Sequence, residues 1–332
     1  MRNNMDIKTV IAFIGGHKRF LISSHTNMEG DALGSELSFA FLLKKMGKTP
    51  VIVNEDDVPY GYGFLPGTGM ITKYNRKTTD IKFDCFVTLD CSDLRRTGEV
   101  YLINGRHKPV LNIDHHVSNV YFGDVNWVDP NACCACELVW RLYKKLRVPI
   151  GKDAATALYA GILTDTGSFR YSNTTSATHA IAADLVGQGV DVPVVHRNIY
   201  GNIPYGDLKL LSQILPTMQR SGDGKVVWFE IHKELLRKQK KIFFDLSESI
   251  LNFARSLKGV EVVVLFKENL SEAGEVRINF RSQGEVDVNA IAQRFGGGGH
   301  KTASGATIKG SLSDIKRKVL VSVKKAFNAR HS

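Results

Sequence analysis

Short apolar segments that alternate with helical repeats constrain the fold of the first half of this chain more than any other feature. The segments are rich in β-branched and aromatic residues and are bounded by polar ones; they cover residues 20–22, 51–53, 85–89 and 110–113. Between the first two, apolar side chains recur at helical spacing from residue 32 to residue 46, and Gly47 follows as a stop signal. Strands that are apolar throughout and separated by helices are typical of a parallel sheet covered on both faces. We therefore predict an α/β fold.

The length of 332 residues indicates two globular domains rather than one. Helical patterns at 153–163 and 176–186 complete the first domain, and the turn residues Gly201, Pro204 and Gly206 indicate a linker. Strand and helix patterns resume beyond it, as expected for a smaller α/β domain. We predict a larger parallel-sheet domain over residues 1–190, a linker over 191–215 and a second domain over 216–332.

The positive charge is concentrated in the second part of the chain. Of the formal net charge of +11, residues 201–332 contribute +9, from 22 Lys and Arg against 13 Asp and Glu. Such a surface favours a polyanionic ligand, although a basic face exposed only to solvent is the alternative.

The cysteines and the hydropathy pattern exclude several classes of protein. The number of cysteines, five, is odd, and they lack the paired spacing of a zinc ribbon, so the cluster at 133, 134 and 136 is interpreted as small packing residues at a helix start. No apolar run approaches the ~18–20 residues of a membrane span, and the N-terminus is polar. We expect a complete, cytoplasmic chain with no membrane partner.

Acidic and histidine residues follow the predicted strands. They are His25, Glu29 and Asp31 after the first strand, Asp90 after the third, Asp114, His115 and His116 after the fourth, and Asp165 after a helix. Ligands of open parallel sheets bind beyond the carboxyl ends of the strands, so these residues are predicted to converge on one crevice.

Many carboxylates and imidazoles in one crevice would repel one another unless cations were bound. Oxygen and imidazole ligands favour Mn²⁺ or Mg²⁺ over structural zinc, and a pair of such ions about 3.5–4 Å apart can activate water for attack on a phosphoryl group. Asp31 alone could be only a helix N-cap, and the run from Asp114 to His116 could be only a buried polar group that needs partners. The joint pattern favours a two-metal site.

Two motifs in the second domain predict phosphate binding. Four glycines precede His300 and Lys301, and backbone N–H groups of such a run, including those of Gly298 and Gly299, can form a concave nest for an anion. Arg277 and Arg281 share one face of a predicted strand with Asn279, where guanidinium groups can bind phosphates. A flexible linker and a solvated edge strand are the respective alternatives.

These motifs together resemble the DHH phosphoesterase superfamily, and within it the bifunctional oligoribonuclease and pAp phosphatase group. The resemblance covers nearly the whole chain. It rests on five motifs in order, which begin at His25, Leu89, Ile113, Thr164 and Gly296.

The resemblance implies an active site in a cleft between the two domains, with two Mn²⁺ ions or Mg²⁺ in their place. One metal ion would be held by His25, Glu29 and Asp90, and the other by Asp31, Asp90, His115 and Asp165. His116 would act catalytically on the phosphate or leaving group, with Asp114 orienting an imidazole. His300, Arg277 and Arg281 of the second domain, which resembles the first type of DHH-associated domain, would bind the terminal phosphate of the substrate.

The implied activity is metal-dependent hydrolysis of RNA of 2–5 nucleotides and of 3′-phosphoadenosine 5′-phosphate (pAp). Cleavage of pApA or cyclic dinucleotides is the alternative within the same chemistry. The alternative without catalysis is a degenerate sensor that binds nucleotides but does not hydrolyse them. The resemblance alone favours a homodimer. One position departs from the family pattern, because Glu29 stands where the family has Asp, and its extra methylene requires the backbone or the metal ion to shift by roughly a bond length.

Overall fold

A computed structural model describes residues 6–105, 108–237, 246–269, 274–283 and 285–328. The chain forms two compact units, residues 1–202 and residues 203–332. Among the described residues, no helix is both long enough and apolar enough to cross a membrane.

The first unit contains a six-stranded sheet in which every pairing is parallel, in the order β3-β2-β1-β4-β5-β6. The strands are β1 (Arg19–Ser23), β2 (Thr49–Asn54), β3 (Ile71–Lys73), β4 (Cys85–Leu89), β5 (Val110–Asp114) and β6 (Val125–Val128). The helices are α1 (Ile7–Gly16), α2 (Gly30–Lys45), α3 (Tyr101–Asn104), α4 (Ala135–Leu146), α5 (Lys152–Asp165), α6 (Ser176–Gly187) and α7 (Val192–Tyr200). The predicted parallel α/β domain is confirmed.

The two faces of this sheet are covered unequally. Alternate strand residues such as Phe20, Ile22 and Val87 pack against six helices, namely α1, α2 and α4–α7, in the larger core. The opposite face, which carries Leu21 and Phe86, is covered only by short helical turns and loops. Helix α2 runs through the larger core and is buried along most of its length, which explains why its apolar pattern is broad.

The segment predicted as a linker contains two helices. Helix α7 packs Val195 and Ile199 into the core of the first unit, and α8 (Tyr205–Ile214) packs Leu210 and Ile214 into a core of the second. Each helix therefore belongs to one unit, and the division falls at residues 202 and 203. The turn residues near 201–206 separate two amphipathic helices rather than marking an extended connection.

The second unit contains a mixed six-stranded sheet in the order β11-β12-β10-β9-β8-β7, in which only β8 and β9 pair in parallel. The strands are β7 (Gln219–Arg220), β8 (Val226–Ile231), β9 (Val262–Glu268), β10 (Glu275–Ser282), β11 (Gly298–Gly299) and β12 (Ala303–Lys309). Helices α8, α9 (Lys233–Arg237) and α10 (Leu246–Arg255) cover one face, and α11 (Val288–Gln293) and α12 (Leu312–Asn328) cover the other. This arrangement confirms the predicted second α/β domain.

Candidate metal centre

The strand order of the first unit reverses between β1 and β4, and the candidate centre lies at this reversal. In open α/β sheets the crevice beyond the carboxyl ends of the strands opens at such a point, because the connections on either side diverge. His25 follows β1, Asp90 follows β4, and His115 follows β5. The sheet topology thus places side chains from three separate segments around one crevice.

Asp90 lies at the middle of this cluster. Its side chain is 1% exposed, and three imidazole nitrogens approach it: Nε2 of His25 at 3.3 Å, Nε2 of His115 at 3.4 Å and Nδ1 of His116 at 3.5 Å. Neither carboxylate oxygen has a hydrogen-bond partner among the described residues. The backbone of Asp90 is left-handed, with φ of 52°, a conformation that is strained for a residue with a side chain.

A buried carboxylate without hydrogen bonds is unfavourable unless another group compensates for its charge. Divalent cations would do so, and the nitrogens and oxygens around Asp90 are suitable ligands for them. The residues present therefore fit a metal centre.

His25, Glu29 and Asp90 form one group that could hold a metal ion, with one ligand atom from each lying within 4.8 Å of the others. Nδ1 of His25 donates to the Thr26 carbonyl at 2.8 Å, which leaves Nε2 as the nitrogen that faces the carboxylates. Oε1 of Glu29 lies 3.8 Å from that Nε2, and the Glu29 side chain is 57% exposed. Although Glu29 precedes helix α2, its side chain does not cap the helix, so it stays available as a ligand.

Asp31, Asp90 and His115 form a second such group within the same distance limit, and it shares Asp90 with the first. Asp165 adjoins it, with Oδ2 at 3.9 Å from Nε2 of His115. The structure thus brings together all six residues that the sequence predicts as ligands, in two groups around one shared carboxylate.

The beginning of helix α4 holds the Asp31 carboxylate. The backbone N–H groups of Ala135 and Cys136 donate to its two oxygens at 2.7 and 2.9 Å. N–H groups at a helix N-terminus have no partner within the helix and favour a negative charge. All five cysteines are free and buried, which is consistent with the interpretation of the cluster that includes Cys136 as packing residues.

Asn173 orients Asp165. Its amide nitrogen donates to the Cys133 carbonyl at 2.8 Å, to the backbone carbonyl of Asp165 at 3.1 Å and to the carboxylate of Asp165 at 3.3 Å. Asn173 is not among the predicted site residues, although the polar run that continues beyond Asp165 to this residue was an available signal.

Asp114 contacts the second histidine of its motif. Nδ1 of His116 donates to Oδ1 of Asp114 at 2.7 Å, and Nδ2 of Asn119 donates to Oδ2 of Asp114 at 2.6 Å. Asn119 also donates to Asn112 at 2.8 Å, so the four side chains form a buried network. Asn119, which is not among the predicted site residues, lies only three residues after His116.

The pKa values of several groups in the cluster are shifted because charged side chains lie close together in a buried site. Burial would lower the pKa of His25, but Asp90 and Glu29 outweigh it and raise that pKa to about 10. Burial would raise the pKa of Asp90, but His115 and His25 hold it well below its ordinary value. For Asp31, burial and the neighbouring Asp90 raise the pKa to about 6. Protons on His25 and His115 thus offset the negative charge of the carboxylates when no other cation is bound.

In strand β10, which is predicted to bind phosphate, the two arginines share one face with Asn279, as predicted. In β10 the residues at 276, 278 and 280 are buried, and Arg277, Asn279 and Arg281 lie on the opposite, more exposed side. Asn279 is paired with Gly305 of β12, and Gly305 is paired in turn with Gly298 of β11. Strand β10, which carries the arginines, and strand β11, which contains two of the glycines, therefore lie on opposite sides of β12.

Part of the glycine run, which is predicted to form a nest of free N–H groups, is engaged in backbone hydrogen bonds. The N–H groups of Gly296, Gly297 and His300 donate to the carbonyls of Gln293, Ala292 and Ala303. The glycines instead allow close approach to β12, because a Cβ on Gly297 would lie 2.0 Å from the carbonyl oxygen of Gly305. At Gly296, Gly297 and His300 the backbone N–H groups are therefore not free for an anion. The surface beside Gly298 is open, and Lys301 is exposed.

Comparison with known proteins gives two domain matches that divide the chain in the same order. Residues 19–162 match the DHH family, N-terminal domain, and residues 231–328 match the DHHA1 domain. The bifunctional oligoribonuclease and PAP phosphatase NrnA of Thermus thermophilus is 32% identical over 305 residues, which cover 91% of this chain and 88% of that protein. The probable bifunctional oligoribonuclease and PAP phosphatase NrnA of Streptococcus mutans is 27% identical over 317 residues, which cover 90% and 92%.

A solved structure agrees with these sequence matches. The crystal structure of an exopolyphosphatase-related protein from Bacteroides fragilis superposes with a TM-score of 0.86 at 26% identity, over 97% of this chain and 95% of that one. With its reversed-order parallel sheet, its cluster of histidines and carboxylates and its second mixed-sheet unit, this chain belongs to the DHH family of phosphoesterases.

Proposed function

We propose that this protein is a metal-dependent phosphoesterase that hydrolyses very short RNA oligonucleotides to nucleoside monophosphates and converts pAp to AMP. The observation that carries the proposal is the buried Asp90 carboxylate, which lies between two ligand groups and has no hydrogen bond of its own among the described residues. The names of the relatives from Thermus thermophilus and Streptococcus mutans supply the substrate classes.

Two Mn²⁺ ions, or Mg²⁺ in their place, are proposed as cofactors. His25, Glu29 and Asp90 would hold one ion, and Asp31, Asp90, His115 and Asp165 would hold the other. When bound, such ions supply a nucleophile from water at neutral pH and neutralise the phosphoryl charge.

His116 is proposed to act on the substrate from the edge of this centre. Its Nδ1–H is engaged by Asp114, so its other ring nitrogen, Nε2, is the atom that would hold or deliver a proton at the phosphate or leaving group. Asp114 in turn accepts from Asn119, which fixes the orientation of the imidazole. Asp114 is accordingly a positioning residue.

The second unit is proposed to bind the terminal phosphate of the substrate. Arg277 and Arg281 would bind it through their guanidinium groups, with His300 and Lys301 as further donors. The open surface beside Gly298, which precedes Gly299, would be the point of close approach. The excess of positive charge in residues 201–332 would attract such anionic substrates. A cytoplasmic location and a homodimer complete the proposal.

The test is hydrolysis by purified protein in Mn²⁺, with 5′-labelled dinucleotide RNA, pAp, pApA and pyrophosphate in separate reactions. We expect mononucleotide from RNA and AMP from pAp, and a loss of at least 100-fold in His115→Ala. His196→Ala, which changes an exposed histidine on α7, is the matched control and should keep full activity. Absence of product from every substrate would refute the proposal, and a marked preference for pApA would favour the dinucleotide phosphodiesterase reading.

The Glu29 departure is tested by Glu29→Asp in the same assay. If the longer side chain already reaches the metal ion, restoring the aspartate of the family pattern will leave the activity within a few-fold of wild type. A large rise would show that glutamate limits the site, and nucleotide binding without hydrolysis that is reversed by Glu29→Asp would identify the wild type as a sensor.

A further inference from the structure

Glu36 is a buried carboxyl group that the proposed reaction does not use. It lies on helix α2 and is 0% exposed. Its Oε2 accepts a hydrogen bond from the side-chain amide of Asn54 at 2.8 Å, whereas its Oε1 has no hydrogen-bond partner among the described residues. An ionised carboxylate in this environment would be strongly unfavourable.

The Asn54 side chain extends this contact to the strand that leads to the metal centre. Asn54 is the last residue of β2, and its Oδ1 accepts from the backbone N–H of Ser24 at 3.3 Å and from the Ser23 hydroxyl at 3.2 Å. Ser23 ends β1, and Ser24 directly precedes His25. A chain of buried hydrogen bonds therefore connects α2 with the point at which the backbone leaves β1.

This series of hydrogen bonds joins two of the segments that supply the first ligand group. Helix α2 begins at Gly30, directly after Glu29, and carries Asp31 in its first turn. His25 follows Ser24, whose N–H direction is fixed by Asn54. Since neither Glu36 nor Asn54 is part of a ligand group, their effect on a metal ion would pass through the backbone on which His25 lies.

We propose that Glu36, acting through Asn54, is a positioning residue that sets the placement of His25 for metal binding. The inference rests on the proposed function only in assuming that His25 is a metal ligand. Burial raises the pKa of Glu36 to about 8 against the opposing effects of Asn54 and Ser24, so the neutral acid is the form that fits the network at neutral pH. Glutamine reproduces the shape and the absence of charge of that form.

The test compares Mn²⁺ affinities by isothermal titration of metal-free protein. Glu36→Gln should bind both Mn²⁺ ions within about twofold of wild type, whereas Glu36→Met, which keeps the volume but removes the hydrogen bonds, should weaken one of the two ions by about 10-fold or more. Ser38→Ala is the matched control, because Ser38 is equally buried on α2 but its hydroxyl bonds only within the helix. Wild-type affinity for both ions in Glu36→Met would overturn the proposal.

A second comparison assigns the effect to His25. His25→Ala and the double variant His25→Ala/Glu36→Met should bind the remaining Mn²⁺ equally, because the positioned ligand is absent from both. A further loss in the double variant would show general loosening of the site and would overturn the proposal. If Glu36→Met does not melt cooperatively, Ser23→Ala replaces it, and a smaller loss at the same ion is expected; unchanged affinity would again be a refutation.

The outcomes also separate this proposal from the proposed function. Wild-type protein that binds two Mn²⁺ ions but hydrolyses no phosphoester would refute the function and leave the positioning role intact. Hydrolysis by the wild type combined with unaltered Mn²⁺ binding in Glu36→Met would refute the positioning role and leave the proposed function intact.

Discussion

Substitution of Gly161 by alanine tests how closely the candidate centre is built into the packing of helices. Gly161 lies on α5, where this helix crosses α2. A Cβ at this position would lie 2.3 Å from Sγ of Cys136 and 3.0 Å from Oδ1 of Asp31. Real Cβ atoms essentially never show contacts under 3.0 Å, so the sulfur must move. Because the backbone N–H of Cys136 donates to Oδ1 of Asp31, a movement of Cys136 also displaces this carboxylate.

The expected cost combines two opposing effects. Overpacking of a closely packed core costs typically about 1–3 kcal/mol, whereas replacement of a helical glycine by alanine favours the helix by roughly 0.5–1 kcal/mol. We therefore expect Gly161→Ala to lower the free energy of unfolding by about 1–2 kcal/mol. For a domain of this size, each kcal/mol lowers the melting temperature by about 2–4 °C. The loss of Mn²⁺-dependent activity should exceed what this destabilisation explains.

Calorimetric melting of the metal-free protein and the phosphoesterase assay are the measurements. Cys136→Ala removes the sulfur, so the double variant should be more stable than the sum of the two single changes by about 0.5–3 kcal/mol. The activity of the double variant should recover less than its stability, because the contact between the new Cβ and Asp31 remains. Gly15→Ala on α1 is the control, since no other described atom lies within 4 Å of the new Cβ. A Gly161→Ala protein of wild-type stability, or strict additivity with Cys136→Ala, would refute the packing argument.

Three other substitutions give further expectations. Glu36 has a pKa of about 8 in the folded protein against an ordinary value of 4.5, so its carboxyl group destabilises the fold progressively as the pH rises between these values. Glu36→Gln does not ionise, and denaturant unfolding of metal-free protein should show its advantage over wild type growing from pH 5 to pH 8, by at most about 4 kcal/mol; a pH-independent difference would contradict this. Asn173→Ala frees the Asp165 carboxylate and should weaken Mn²⁺ binding about 10-fold in a titration, and unchanged binding would argue against the contact. Arg281→Ala should raise KM for dinucleotide RNA more than it lowers kcat. A lower kcat with an unchanged KM would show that Arg281 does not contribute to binding of the substrate in its ground state.

The elements that the sequence predicts well are those whose apolar pattern is unambiguous. The predicted strand at 85–89 has the bounds of β4, and the predicted strand at 110–113 begins with β5 and ends one residue before it. These strands are buried on at least one face, so the pattern of apolar residues in the sequence directly reflects which side chains are buried. The candidate ligands were predictable for a related reason, since parallel strands deliver whatever follows them to the same edge of the sheet.

Other features depend on contacts that leave no pattern in the residues involved. Asp31 is held by backbone N–H groups more than a hundred residues away, and any residue type at Ala135 would present the same N–H. The glycines at 297 and 299 could equally have served an anion or a neighbouring strand, and only the pairing with β12 decides between them. Periodicity in α7 and α8 was present in the sequence but was interrupted by turn residues near Pro204.

The two halves of the candidate centre differ in how firmly the protein holds them, and this difference predicts that a longer acidic side chain is accommodated better at position 29 than at position 31. Asp31 is 0% exposed and fixed by two backbone N–H groups, so an extra methylene there would have no space. Glu29 is 57% exposed, and its side chain forms no capping hydrogen bond, so its longer chain can bend toward solvent and still bring Oε1 to 3.8 Å from Nε2 of His25. The geometry of the first ligand group then depends more on His25, whose backbone is tied to Asn54 and Glu36. A rigid histidine beside an adaptable glutamate is the arrangement in which this substitution does least harm.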